Sequence, residues 1–184
     1  LPMAAAAAWT MALAVLPDAR RLTAQGCAIM LLAGLAMQIK YSAVFEGVFF
    51  GLSLLWAGWQ RGWSLPRLAL AAPLWIACAL VPTFAAWAAY AAMGHGEAFV
   101  QANFFSIFGD INSLVLSLAR LAGLNIGLSP FWIGLWIAWR HRQGAPLEAR
   151  WIMAWCGASL AGFLLFGVYY DHYVLPLLLP LCLT

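Results

Sequence analysis

The chain has 184 residues, of which 66% are hydrophobic and only 8% charged, with a net charge of +3; its mean hydropathy is +0.90. A soluble domain carries about a quarter charged residues, so this composition excludes a water-facing globular fold, and the lack of a basic run excludes a nucleic-acid partner. The apolar runs are long and unbroken rather than alternating, which predicts an all-α, polytopic transmembrane helical bundle.

Charges punctuate the chain at membrane-sized intervals. Residues 1–17 carry none, and then come Asp18, Arg20 and Arg21. Residues 22–39 are uncharged up to Lys40, and residues 41–59 carry only Glu46 before Arg61 and Arg67. The run 68–93 leads to a loop at about 94–120 with His95, Glu97 and Asp110, and further runs at 121–139 and 151–170 lie between Arg120, Arg140, Arg150 and Asp171. A helix needs roughly 20 residues to cross about 30 Å of hydrocarbon. With a last run at 173–184, the pattern predicts about seven spans in a single transmembrane domain covering residues 1–184. No Met precedes Leu1, no signal-peptide pattern occurs, and the chain stops inside an apolar run, so it reads as a piece of a longer protein.

The basic residues set the orientation. Alternating spans put Arg20, Arg21, Arg61, Arg67, Arg140, Arg142 and Arg150 on one side and only Lys40 and Arg120 on the other. Seven against two is a positive-inside bias, which predicts a multi-pass membrane protein with the loops at 18–21, 60–67 and 140–150 on the cytoplasmic side. Lys40, the 94–120 loop and the cluster Tyr169, Tyr170, Asp171, His172 and Tyr173 then share the outer face.

Local signals refine this layout. Pro82 is expected to kink the fourth span and Pro130 the fifth. Gly47 and Gly51 form a GxxxG pair that permits close helix approach. The stretch from Ser113 to Leu121 suits an interfacial amphipathic helix. Trp132, Trp136, Trp139, Trp151 and Trp155 read as an aromatic belt. Cys27, Cys78, Cys156 and Cys182 stand singly, without CxxC spacing, and read as small buried residues.

Among polar residues, Lys40 at the outer end of the second span is either a snorkelling lysine or a point-charge ligand for a lipid phosphate. Glu46, roughly 9 Å deeper on a regular helix, is read as neutral, paired with a basic group, facing a wet cavity, or carried outward by a shift of the helix. His95 and Glu97 make a lone His-x-Glu, poor as a metal site without further ligands. A solvated loop with interface-dipping Phe99, Phe104, Phe105 and Phe108 is the plainer account of that region. Asp171 can cap a helix start, while His172 can hold a proton or bind a phosphate oxygen near neutral pH. No GxSxG, Walker-type loop, HExxH or GxGxxG occurs.

Two stretches carry a family resemblance. Gly34-Leu-Ala-Met-Gln-Ile-Lys40-Tyr-Ser-Ala-Val-Phe-Glu-Gly47 and Tyr170-Asp-His-Tyr173-Val-Leu-Pro176-Leu-Leu-Leu-Pro180 resemble helices of the bacterial membrane glycosyltransferases in the dolichyl-phosphate-mannose–protein mannosyltransferase superfamily. That superfamily includes the aminoarabinose transferases of lipid A. The specific resemblance covers roughly residues 20–60 and 165–180. It implies a C-type glycosyltransferase membrane domain that moves a sugar from a polyprenyl-phosphate donor to a lipid, glycan or protein acceptor outside the membrane. It further implies that Lys40, His172 and Tyr173 bind the donor. The family's catalytic carboxylate lies in the first outer loop, expected upstream of Leu1, so no catalytic residue is assigned in this chain. No metal ligand and no cofactor are assigned either, and a divalent metal stays open. The rival readings are a secondary transporter or permease, which calls for a repeat and broken helices at the bilayer midplane, and a membrane scaffold without chemistry.

Overall fold

The computed structural model describes residues 19–39, 41–105, 114–141, 143–144, 146–165, 169 and 174–183. All regular structure among them is helical, with no strand; the expected first span, residues 1–17, lies outside them. The chain divides into two compact units, residues 1–111 and 112–184.

In the first unit, α1 (Ala19–Ile39) leads through a short 3₁₀ turn (Tyr41–Ala43) into α2 (Val44–Gln60). Next come α3 (Leu65–Ala92), the short α4 (Gly96–Val100) and a single π-helical turn, Gln101–Phe105. The bounds follow from local chemistry. Both α2 and α3 end two residues before a glycine in the left-handed region, Gly62 at φ +75° and Gly94 at φ +81°. In each case the next N–H reaches back five residues, Trp63 to the Gly58 carbonyl (3.0 Å) and His95 to the Tyr90 carbonyl (2.8 Å). Such a terminus satisfies carbonyls that the last turn would otherwise strand. Pro66 in the first turn of α3 fits a position whose N–H has no helical partner.

The helix pair α1/α3 anchors this unit. Near one end the Trp75 indole N–H donates to the Thr23 carbonyl (3.2 Å). Near the other the Gln38 side-chain amide donates to the Thr83 hydroxyl (2.7 Å). The two helices therefore run in the same direction. Between those ties a Cβ added at Gly26 would meet the Trp75 indole, and one added at Gly34 would meet the Ala79 carbonyl group, both closer than 3.0 Å. Glycine is thus the residue that lets the backbones touch.

The expected GxxxG pair is not the close contact. A Cβ at Gly47 or Gly51 would make ordinary 3.8 Å contacts with Ala33 or Met30. Those two glycines instead line an apolar groove of about 290 Å³, together with Met30, Val48, Trp75 and Ile76. Helix α3 continues through Pro73 and Pro82; Pro82 is buried, and its ring lies beside Gly34.

The outward faces are apolar, with Leu70 75% and Phe84 63% exposed, while Glu46 and Ser42 are buried. This inverts the arrangement of a water-soluble protein. Among the described residues α1, α2 with its preceding turn, and α3 are long and apolar enough to cross a bilayer.

The second unit contains α5 (Leu114–Gly127), α6 (Ser129–Arg140), α7 (Leu147–Leu165) and α8 (Leu175–Leu181). The expected span at 121–139 is broken: α5 and α6 meet at a 68° bend around Leu128. Taken together the pair would count as a fourth crossing. Pro130 does not kink a helix but lies in the first turn of α6, where its missing N–H costs nothing. Of the segment expected to form an interfacial helix, Ser113 to Leu121, residues 114–121 are helical as the first part of α5, and Ser113 lies outside the described residues. Carbonyls near the break are satisfied locally. The Ser129 hydroxyl donates to Ile126 O (2.7 Å), and the Asn125 amide to Leu121 O (2.8 Å). Leu128, Phe163 and Val174 form one core cluster, and Cys156, Leu177 and Leu181 another.

The tryptophan belt is only partly a surface feature. Trp136 and Trp139 are exposed, and the Arg140 guanidinium lies 4.2 Å from the Trp136 ring centroid. Trp155, by contrast, is fully buried and packs on Trp151 at 5.6 Å. The cysteines divide as well: Cys156 is buried, Cys27 and Cys78 are half-buried, and Cys182 is exposed.

Candidate functional site

The polar groups of the first unit gather where α1 ends, α2 begins and the segment after α3 returns. Lys40 lies outside the described residues, as do His172 and Tyr173 and, beside them, Asp110, Asn112 and Asp171. Their described neighbours include Tyr41, and Tyr169, whose ring packs on Phe163 at 5.3 Å.

Tyr41 opens the 3₁₀ turn after Lys40. Its hydroxyl donates a hydrogen bond to the Asn103 side-chain oxygen, and its ring lies 6.3 Å from Phe104. The Asn103 amide in turn donates to the Phe99 carbonyl (2.6 Å). Phe99 is buried against Tyr90 at 5.3 Å, so it is a packing residue and not one that dips into an interface. Phe104 and Phe105 do remain exposed. The first part of the expected 94–120 loop is therefore a short helix and a π turn, hinged at Gly94 and tied to Tyr41. Irregular turns of this kind recur at functional positions because they redirect side chains.

Glu46 differs from the regular-helix expectation. Between Lys40 and Glu46 the chain passes through the 3₁₀ turn, and α2 starts only at Val44. Glu46 is then the third residue of α2, in its first turn and 1% exposed. A carboxylate there is favoured by the positive end of the helix dipole. Ser42, 4% exposed, lies one turn before it.

On α1, Gln38 spans two partners, the Thr83 hydroxyl and, at 3.4 Å, the Gly34 carbonyl. Gln38 and Thr83 were not singled out in the sequence. The signal was present nonetheless, since each is a polar side chain within an apolar run, and such groups seek interhelical partners.

The described groups are amides, hydroxyls and one carboxyl, able to donate to and accept from phosphate or sugar oxygens. His95 and Glu97 sit at the start of α4, and no three His, Cys, Asp or Glu converge as a metal site among the described residues. Comparison with protein-family models, with curated proteins and with solved structures finds no match to this chain.

Tyr41→Phe is expected to free the Gly96–Phe105 segment without unfolding the helices. Losing the hydroxyl costs about 1 kcal/mol. Hydrogen exchange in residues 96–105 should then rise severalfold while that of α1 and α3 stays constant. Unchanged exchange in 96–105 would show that the tie does not hold the segment.

Proposed function

We propose that this chain is the membrane-embedded portion of a bacterial inner-membrane glycosyltransferase of about seven spans. It would move a sugar from a polyprenyl-phosphate donor to an acceptor on the outer side of the membrane. The observation that carries this reading is the hydrogen bond from Tyr41 to Asn103. It joins the turn that follows Lys40 to the segment after α3, so that a cation's neighbour, amides and a buried carboxyl share one end of three membrane-length helices. In this reading Lys40 holds the donor phosphate as a compact charge and stabilises the charge that develops on the leaving lipid phosphate. The resemblance assigns His172 and Tyr173 to the donor as well. The general base would come from the family's first outer loop, and the acceptor attacks with inversion.

The bend at Leu128 favours the transporter reading, since broken helices mark such proteins. Its two nearest polar side chains, Asn125 and Ser129, are however engaged with backbone carbonyls, whereas a solute site would need them free.

The test uses the protein encoded by the parent reading frame, in nanodiscs, with farnesyl phosphate and farnesol as probes. Lys40→Ala is expected to weaken farnesyl phosphate binding about tenfold or more, the equivalent of a charge-assisted hydrogen bond. Lys40→Arg should retain most of it, and farnesol binding should not change. Equal phosphate binding by wild type and Lys40→Ala would remove Lys40 from the site and leave the scaffold reading in place.

A further inference from the structure

The contact face of α1 and α3 carries a chemistry that the transferase reading does not use. Thr23 and Gly26 meet Trp75, Gly34 meets Ala79 and Pro82, and Gln38 meets Thr83. In this register the stretch of α1 just past Gly26 lies opposite the stretch of α3 just past Trp75. Those stretches begin with Cys27 on α1 and include Cys78 on α3. The two side chains are close enough to influence one another, and both are free thiols, half-buried. Gly26 and Gly34 flank the pair and remove the side-chain bulk that would hold the backbones apart. A disulfide requires that closeness, with Cα atoms roughly 4.4–6.8 Å apart.

We propose that Cys27 and Cys78 form a reversible disulfide that staples α1 to α3 under oxidising conditions. Two S–H bonds break and one S–S bond forms. The two protons and two electrons pass to a lipid-soluble oxidant of the quinone class, which becomes the quinol. The thiols and the disulfide are alike uncharged, so the step adds no charge to an apolar surrounding. Fifty residues separate the two cysteines, so the link would close a long loop and restrict the unfolded chain strongly. It would also fix the helix pair whose far end carries Gln38 and Thr83, beside Tyr41.

The experiment uses the parent protein in native membranes, with Cys156→Ala and Cys182→Ala to silence the other thiols of this chain and a protease site inserted at the exposed Gly62 turn. After treatment with copper(II)–phenanthroline and cleavage, the fragments bearing α1 and α3 should stay joined on a non-reducing gel and part on reduction. With Cys27→Ala or Cys78→Ala they should part in both lanes. Thermal unfolding without oxidant, matching the parent, shows that the variants fold. In cells, the joined fraction should rise on exposure to a quinone and fall when a dithiol reductant replaces it, which supplies the two electrons and two protons that reopen the S–S bond. Fragments that part after oxidation, with both thiols still open to alkylation once unfolded, would overturn the pairing. A joined fraction that ignores the redox state of the cells would overturn the switch.

Discussion

Trp75→Ala is expected to be the most destabilising single change in the first unit, at about 3–5 kcal/mol. The side chain is 1% exposed and plays several parts. Its indole N–H binds the Thr23 carbonyl, and its face fills the space above Gly26. It also stacks on Trp63 at 6.2 Å with 27° between the rings. Trp63 in turn carries the Arg67 guanidinium 4.0 Å from its ring centroid. Lipid tails are as apolar as an indole, so the loss is one of packing and hydrogen bonding and not of hydrophobic transfer. Trp75→Phe keeps part of the ring contact and should cost less, about 1–2 kcal/mol beyond the lost volume, for the missing donor. Reversible unfolding in mixed micelles measures both. A Trp75→Ala protein within about 0.5 kcal/mol of the parent would place Trp75 among surface residues, and the α1/α3 packing described above would be wrong.

Gly34→Ala comes second, and its direction is opposite to intuition from helix propensity. Alanine favours a helix over glycine by about 1 kcal/mol, yet at Gly34 the new methyl would meet the Ala79 carbonyl group. Backbone cannot rotate away as a side chain can. Overpacking of this kind costs about 1–3 kcal/mol, and the propensity gain is lost within it. Gly47→Ala and Gly51→Ala are the internal controls, because a methyl there meets ordinary van der Waals contacts. They should be neutral or stabilising by up to about 1 kcal/mol. The same unfolding series ranks all three; a GxxxG-driven interface would reverse the order.

These two expectations also show what the chain discloses before folding. The ends of α1, α2 and α3 fall within three residues of the bounds drawn from the charges. Lys40, Arg61 and Arg67 mark limits that an apolar span cannot pass without cost. Helix partners were a different matter. Two glycines four apart state that an approach is permitted, but not which helix makes it. The approach went to Gly26 and Gly34, eight residues apart on α1.

Pro130 was ambiguous for a similar reason, because proline is disfavoured inside a helix and welcome in its first turn. The choice rested on the break at Leu128, for which no glycine or proline occupies the breaking position. Cys27 and Cys78 looked solitary because their proximity exists only across the α1/α3 contact. At the candidate site the sequence marked Lys40 and the 94–120 loop as outer-face features, and Tyr41 supplies the link between its own turn and Asn103 in that loop. The positions of Lys40, His172 and Tyr173 lie outside the described residues and stay with the resemblance.

The bend at Leu128 has a dimensional consequence. Laid end to end in one straight helix, residues 114–140 would measure about 40 Å, some 10 Å more than a bilayer's hydrocarbon thickness. With α5 of 14 residues and α6 of 12 meeting at 68°, the distance from first to last residue shortens to about 32 Å. Read as one crossing, the pair would match the hydrocarbon thickness end to end, with each arm inclined about 30–40° to the line joining its ends. In that reading, a substitution that straightened the pair would make the longer helix tilt as a whole or leave its surplus in the headgroups.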